Sequence, residues 1–140
     1  MDLASNAELG ALAGTVVAEG LLGGAAPALR RLHLDGTSLG DAGAATLAAA
    51  FRASAVPRLV ELTLTGNGLS AVGVAALSSC LGDASLAALE VLDLSTNEMA
   101  VGGAGAIALG LRAAPAGSLA LRSLRLDEAG FTSRAAELIT

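Results

Sequence analysis

The sequence predicts an α/β solenoid in which each repeat contributes one short parallel strand and one helix. Two observations predict it: a leucine cluster that recurs at 30-residue intervals, and apolar positions that follow each cluster in steps of four. The chain is 54% hydrophobic over 140 residues, yet Phe51 and Phe131 are its only aromatic residues. Its core must therefore be built from aliphatic side chains.

The strand half of each repeat is a leucine cluster of the form Leu-x-x-Leu-x-Leu. The first three clusters end at Leu34, Leu64 and Leu94, which are 30 residues apart, and a fourth ends at Leu126 after 32 residues. Alternate residues of a strand point to the same side, so each cluster predicts a strand with one buried face.

The helix half of each repeat follows from columns 5, 9, 13 and 17 residues after the last leucine. A step of four places these residues on one face of a helix. The columns are Leu39, Leu69, Met99 and Phe131; Gly43, Gly73, Gly103 and Ala135; Leu47, Leu77, Ile107 and Ile139; and Phe51, Leu81 and Leu111. A strand–helix–strand crossover gives parallel strands, and stacked units give a horseshoe arc with strands on the concave side and helices on the convex side.

Two columns contain residue types that have a low propensity for helices or strands. Gly43, Gly73 and Gly103 recur in the first helical turn, although glycine there costs about 1 kcal/mol relative to alanine. We therefore expect a close approach of backbones at this turn. Asn67 and Asn97 lie where the strand ends, and we expect buried amides that satisfy backbone groups of their own and the next turn.

The columns divide the chain into a single domain, residues 1–140. We expect a partial repeat at 1–28, repeats at 29–58, 59–88 and 89–120, and an incomplete repeat at 121–140.

The partial first repeat is predicted from the same period. It places Leu9, Ala13, Val17 and Leu21 in the helix columns. It also places Asp2 and Ala4 where strand leucines belong, so no strand is predicted before this helix.

These motifs resemble a known family. Leu89-Glu-Val-Leu-Asp-Leu-Ser-Thr-Asn97, followed by Gly103-Ala-Gly-Ala-Ile-Ala-Leu109, is similar to the leucine-rich-repeat superfamily, specifically its ribonuclease-inhibitor-like class. The resemblance covers about residues 29–140 and implies a solenoid that binds proteins on its concave sheet face. Thr37 and Ala129 depart from the asparagine that the family pattern expects.

The residues between the strand leucines point away from the core and form three rows across the sheet, with neighbours about 4.8 Å apart. This face is either a polar docking surface for a protein or peptide, or a solvated face whose charges pair laterally, Arg31 with Glu61 and Asp93 with Arg125, each pair worth about 1 kcal/mol at most. The partner-binding candidates are Arg31, His33, Asp35, Glu61, Thr63, Thr65, Asp93, Ser95, Arg125 and Asp127.

Composition and spacing argue against catalysis and against several partners. The net charge is −5 and the cations are eight arginines without a basic run, which excludes the phosphate contacts that nucleic acid or an anionic membrane surface requires.

His33 and Asp35 lack further metal ligands, and Ser95 lies two strands from His33, beyond hydrogen-bond reach. Cys80 is expected to be a small structural residue. We expect no catalytic residue, no metal and no cofactor.

Two functions remain open at this point. The first is a cytoplasmic protein-binding or scaffolding module, or a piece of a longer repeat protein; the alternative is a GTPase-activating regulatory protein of the same repeat class. Cys80 is the only cysteine and Met1-Asp2-Leu3 has no basic leader, which favours a reducing compartment. Uncapped ends and open strand edges also predict self-association.

Overall fold

The computed structural model describes residues 1–6, 10–24 and 28–130. Helices and strands alternate along these residues, and the four strands form one parallel sheet in the order β1-β2-β3-β4. The predicted α/β solenoid is confirmed, with parallel strands on the concave side and helices on the convex side. The elements are α1 (Gly10–Leu22), β1 (Arg31–His33), α2 (Gly40–Arg52), β2 (Glu61–Thr63), α3 (Ala71–Gly82), β3 (Val91–Asp93), α4 (Ala100–Ala113) and β4 (Ser123–Arg125).

The strand register follows the leucine columns. Leu62 pairs with Leu32 on one side and with Leu92 on the other, and Leu92 pairs with Leu124. The two residues added before the fourth cluster therefore leave the pairing of β3 with β4 in register. They are absorbed in the connection between α4 and β4.

The core is aliphatic, as the composition predicts, and it lies between the sheet and the helices. Phe51 is fully buried in it and is its largest side chain. The helix columns are buried in the first three full repeats, except that Leu111 is only partly covered. Phe131, Ala135 and Ile139 lie outside the described residues.

The beginning of the chain corrects one expectation, because residues 1–5 run parallel to β1 as an additional extended segment. The backbone nitrogen of Leu3 donates to the carbonyl of His33 over 2.8 Å, and that of Ser5 donates to the carbonyl of Asp35 over 2.6 Å. The backbone nitrogen of His33 donates in turn to the carbonyl of Met1 over 2.9 Å.

A one-residue shift explains why the period did not reveal this segment. Leu34 donates to Thr63 in the same way that Leu3 donates to His33, so Leu3, and not Ala4, is the counterpart of Leu34. The helix columns of α1 keep the strict period: Ala13, Val17 and Leu21 are buried there as predicted. Leu9 lies outside the described residues.

The asparagine column forms a buried ladder. Asn67 is 1% exposed, and its Oδ1 accepts hydrogen bonds from the backbone nitrogens of Thr37 and Leu39, each over 3.1 Å. Its Nδ2 donates to the carbonyls of Leu34 and Thr65 over 2.8 and 3.3 Å.

Asn97 repeats this geometry one turn further along. Its Oδ1 accepts from the backbone nitrogens of Asn67 and Leu69, each over 3.0 Å, and its Nδ2 donates to Leu64 over 2.9 Å and to Leu94 over 2.9 Å. The expectation that each amide also serves the next turn is therefore wrong. Each amide serves its own turn and the preceding one, because the loop of the preceding repeat presents its free N–H groups toward it.

The glycine column has more than one cause. A Cβ at Gly73 would collide with the side chain and backbone of Asp41 in the preceding helix, which is the close approach that was predicted. A Cβ at Gly103 would instead collide with the side chain of Met99, four residues earlier in the same repeat. Gly14 of α1 lies against the backbone of Gly43 of α2, where a Cβ would come within 2.6 Å of the Cα.

Asp41 also joins two helices. Its carboxylate accepts from the backbone nitrogens of Ser70 and Gly73, both over 2.9 Å, and from the Ser70 hydroxyl over 2.6 Å. Burial alone would raise the pKa of Asp41, but these hydrogen bonds outweigh it and hold the pKa below its ordinary value. The first turn of α3 is thus capped by a side chain from α2 as well as by Ser70 itself.

Across the part of the chain that the structure describes, the helices are all too short or too polar to cross a membrane.

Candidate functional site

The concave sheet face brings the predicted rows together in register. Arg31 pairs with Glu61, and Glu61 pairs with Val91. In the second row, the strand pairing places Thr63 between His33 and Asp93. No helix or strand among the described residues covers this face, so its side chains form one surface that is polar except at Val91.

Glu61 is the centre of the first polar group on this surface. Its Oε2 lies 3.3 Å from Nε of Arg31, and its Oε1 lies 3.0 Å from Nε2 of His33. The predicted lateral pair of Arg31 and Glu61 is therefore formed. Arg31 remains 72% exposed while Glu61 is 29% exposed, so a partner would meet the guanidinium before the carboxylate.

Asp93 is the centre of the second group. Its Oδ2 lies 3.7 Å from a guanidinium nitrogen of Arg125, which forms the other predicted pair. Its Oδ1 accepts a hydrogen bond from the backbone nitrogen of Ser95 over 3.0 Å. Asp93 is only 14% exposed, whereas Arg125 is 61% exposed. As in the first group, the acid is held beneath an exposed arginine.

The third row lies at the C-terminal ends of the strands and is partly occupied with internal contacts. Asp35 accepts from the hydroxyl of Thr63 and from the backbone nitrogen of Thr65, each over 2.7 Å. Ser95 is 7% exposed, and its hydroxyl accepts from the backbone nitrogen of Asp127 over 3.2 Å. Ser95 therefore contributes little surface, while Asp127 is exposed.

Groups that perform nucleophilic or metal chemistry are not assembled in the described part of the chain. No group of three or more histidine, cysteine or acidic side chains there has the arrangement of a metal site. His33 contacts Glu61 and not Ser95. Cys80 is buried, and burial raises the pKa of its thiol to about 11, so it stays protonated at neutral pH.

Sequence reasoning missed an apolar groove on the convex side. The groove has a volume of about 360 Å³ and lies between α3 and α4, with Ala75, Leu109 and Ala113 among its lining residues. Leu109 is 69% exposed. The signal was present in the sequence, because this residue is apolar and lies outside the buried helix columns.

A second missed feature lies at the N-terminal edge of the sheet. Arg30, Val60, Glu90 and Arg122 occupy the same place in successive repeats: the backbone nitrogen of Val60 donates to Arg30, that of Glu90 donates to Val60, and that of Arg122 donates to Glu90. Arg30, Val60 and Glu90 line one cleft together with Arg58. The predicted rows begin one residue later, at Arg31, and therefore do not include this column.

A family comparison supports the repeat pattern independently. The family model described as Leucine Rich repeat matches residues 26–48, 58–78 and 85–110, together half of the chain. No curated protein matches the sequence. Each matched stretch contains one leucine cluster and the start of the helix that follows it. The chain therefore belongs to the leucine-rich-repeat family.

Proposed function

We propose that this chain is a non-enzymatic protein-binding module and that its concave sheet face binds a protein or peptide. The observation that carries this proposal is the uncovered face itself, where polar side chains of four strands lie in register. Leucine-rich repeats are generally protein-interaction modules. The binding residues proposed are those of the three rows, with Ser95 in a supporting position beneath them.

The geometry of the charges favours binding through the arginines. Arg31 and Arg125 are the most exposed members of their ion pairs, and arginine is enriched among residues that dominate binding energy. Their carboxylate partners fix them in place, which lowers the entropy lost when a partner binds. A partner that offers its own carboxylates or carbonyls to these arginines would keep every charge satisfied.

Charge reversal on the face tests the proposal. Glu61→Arg and Asp93→Arg each place two cations side by side, so we expect a partner of this face to be lost from affinity capture with either variant. Ala45→Arg adds the same side chain on the exposed, convex side of α2 and should leave capture unchanged. A set of bound proteins that is identical for wild type and for both face variants would refute concave-face binding.

We also propose a subclass, repeat boundaries, a cellular compartment and a mode of self-association for this protein. We place the chain in the ribonuclease-inhibitor-like class and divide it into repeats at 29–58, 59–88 and 89–120, flanked by a partial repeat at 1–28 and an incomplete one at 121–140. We place it in the cytoplasm, where the buried free thiol of Cys80 would remain reduced. We also propose self-association through the ends of the solenoid, which light scattering at increasing concentration would reveal as a rising mass.

The GTPase-activating alternative requires a polar catalytic residue that reaches into a nucleotide site of the bound partner. It is distinguished by measuring GTP hydrolysis of small GTPases with and without this protein. If a GTPase binds the concave face and its rate of GTP hydrolysis does not change, the protein binds the GTPase without activating it. Accelerated hydrolysis that Asp93→Arg abolishes would establish the alternative.

A further inference from the structure

We propose that the partner presents a short acidic segment, and that this segment binds in a cleft between Arg30 and Arg58 at the N-terminal edge of the sheet. This arginine cleft has a volume of about 370 Å³, with Val60, Glu90 and Pro57 among its other lining residues. The inference rests on the proposed binding function and names the chemistry of the partner.

The two arginines that line the cleft are not neutralised within the protein. Arg30 and Arg58 are both exposed, and neither guanidinium has a hydrogen bond or ion pair with the residues that the structure describes. Arg31, Arg52, Arg122 and Arg125, by contrast, each lie within 4 Å of a carboxylate oxygen. The cleft therefore combines two cations that are free to take an external anion.

The repeat register explains why Arg30 lacks a partner within its column. The backbone nitrogens of Val60 and Glu61 donate to the carbonyl of Arg30 over 2.7 and 3.0 Å, so the neighbour of Arg30 in its column is the uncharged Val60. Glu90 is one strand further along, and its Oε2 lies 3.9 Å from Nε of Arg122. The acid of this column is thus paired with Arg122 and not with an arginine of the cleft.

Two guanidinium groups around one cleft favour a carboxylate ligand. Guanidinium and carboxylate meet in a planar, bidentate geometry, and a bound carboxylate relieves the repulsion between the two cations. Val60 and Pro57 add apolar contact for the methylene groups of a glutamate side chain. Arg30, which lines the cleft, directly precedes Arg31 of the first row in the chain.

The charge distribution of the whole molecule selects a short acidic segment over a long polyanion. At the opposite edge of the sheet, the turns that follow the strands and the first residues of the helices carry five carboxylates and no arginine among the described residues: Asp35, Asp41, Glu98, Asp127 and Glu128. With a net charge of −5, the protein repels an extended polyanion beyond the cleft. A partner segment with its acidic end at the arginine cleft would match this polarity.

Fluorescence anisotropy with a fluorescein-labelled hexaglutamate peptide at low ionic strength tests the inference. We expect saturable binding that weakens with added salt. Arg58→Glu and Arg30→Glu should each weaken it by about tenfold, because each removes a charge-assisted contact and adds a repelling charge. Arg112→Glu makes the same change of charge on exposed α4, outside the cleft, and should leave affinity unchanged.

Three results would overturn the assignment: no saturable binding of the peptide, an equal effect of Arg112→Glu, or tighter cleft-dependent binding of a single-stranded oligonucleotide. Retained helical circular dichroism in each variant excludes misfolding as the cause. The outcomes also separate this inference from the binding function. If Glu61→Arg abolishes capture of a partner while hexaglutamate fails to bind, the concave face is a docking surface and only the acidic chemistry is wrong.

Discussion

The amide of Asn67 lies buried between two repeats, where it satisfies backbone N–H groups of Thr37 and Leu39 and the carbonyl of Leu34. These groups lie in a loop that cannot pair them within a strand or helix. Water does not replace the amide easily, because the site is closed by the leucine core. The side chain of Asn67 therefore links the two turns through its hydrogen bonds.

We predict that Asn67→Ala lowers the free energy of unfolding by about 3 kcal/mol, since it leaves several buried backbone groups without partners. Urea denaturation followed by circular dichroism measures the loss. Asn6→Ala is the matched control, because Asn6 donates to Leu3 and Ala4 in the same local way but is exposed. A loss below about 1 kcal/mol, the cost of a single ordinary hydrogen bond, would show that water satisfies the loop.

Cys80 gives a second prediction at this scale. Its side chain is fully buried and the pKa of its thiol is raised to about 11, so the reactive thiolate is both scarce and inaccessible in the folded protein. We expect an aromatic disulfide reagent at pH 8 to label it only after urea unfolds the chain. Rapid labelling without denaturant would indicate that α3 opens readily around this residue.

Two of the four glycines of α4 have completely different surroundings. A Cβ at Gly110 would collide with the backbone carbonyl of Ser78 in α3, whereas a Cβ at Gly105 would meet nothing within 4 Å. We predict that Gly110→Ala destabilises the protein by about 2 kcal/mol through overpacking. Gly105→Ala should stabilise it by about 1 kcal/mol through helix propensity. Thermal unfolding of the two variants measures both effects, and a change of the same sign in both would contradict the account.

Asp41 of α2 caps α3, and we expect its contribution to the free energy of unfolding to depend on pH. Removing the carboxylate in Asp41→Ala should cost about 1 kcal/mol at neutral pH, as loss of a helix cap does. Because the pKa of Asp41 is lowered on folding, its contribution is present above the unfolded value of about 3.9 and is lost as the pH falls through the lower, folded value.

The unfolding free energies of wild type and Asp41→Ala should therefore differ at pH 7 and converge on acidification below about pH 3.9. Asp83 also has a lowered pKa, but it is present in both proteins and cancels in the comparison. A difference that stays constant down to acidic pH would mean that Asp41 acts through packing alone.

The elements also show where prediction from the sequence succeeds and where it ends. Leucine columns such as Leu32, Leu62 and Leu92 determine register because burial is a local consequence of alternation and period. The strand partner at Leu3 was missed because one added residue before α1 shifts the period. The lateral pair of Arg31 with Glu61 was predictable from the register. The arginine cleft was not, because it depends on how a connecting loop places Arg58 beside Arg30.

At the scale of the molecule, each repeat contacts its immediate neighbours through the same columns. The helices pack consecutively, and the side-chain amide of each asparagine bonds only to its own and the preceding turn. Stability in such a fold is close to a sum of repeat and interface contributions. Equivalent positions should therefore be interchangeable between repeats if the columns alone specify the interface.

Deletion of residues 59–88 tests that expectation directly, because it removes one period and brings the third repeat onto the first. Asn97 would then bond to Thr37 and Leu39 in place of Asn67, and Gly110 would pack against Ala48, which is 30 residues before Ser78. We predict a folded protein with helical circular dichroism and one cooperative urea transition. Its m-value should be lower, since less surface is exposed on unfolding.

Deletion of residues 59–78 is the control, because it removes only part of a period. The columns on the two sides of this deletion no longer align, so we expect the cooperative urea transition to be lost. If both deletions unfold the chain, interactions beyond neighbouring repeats hold the solenoid together.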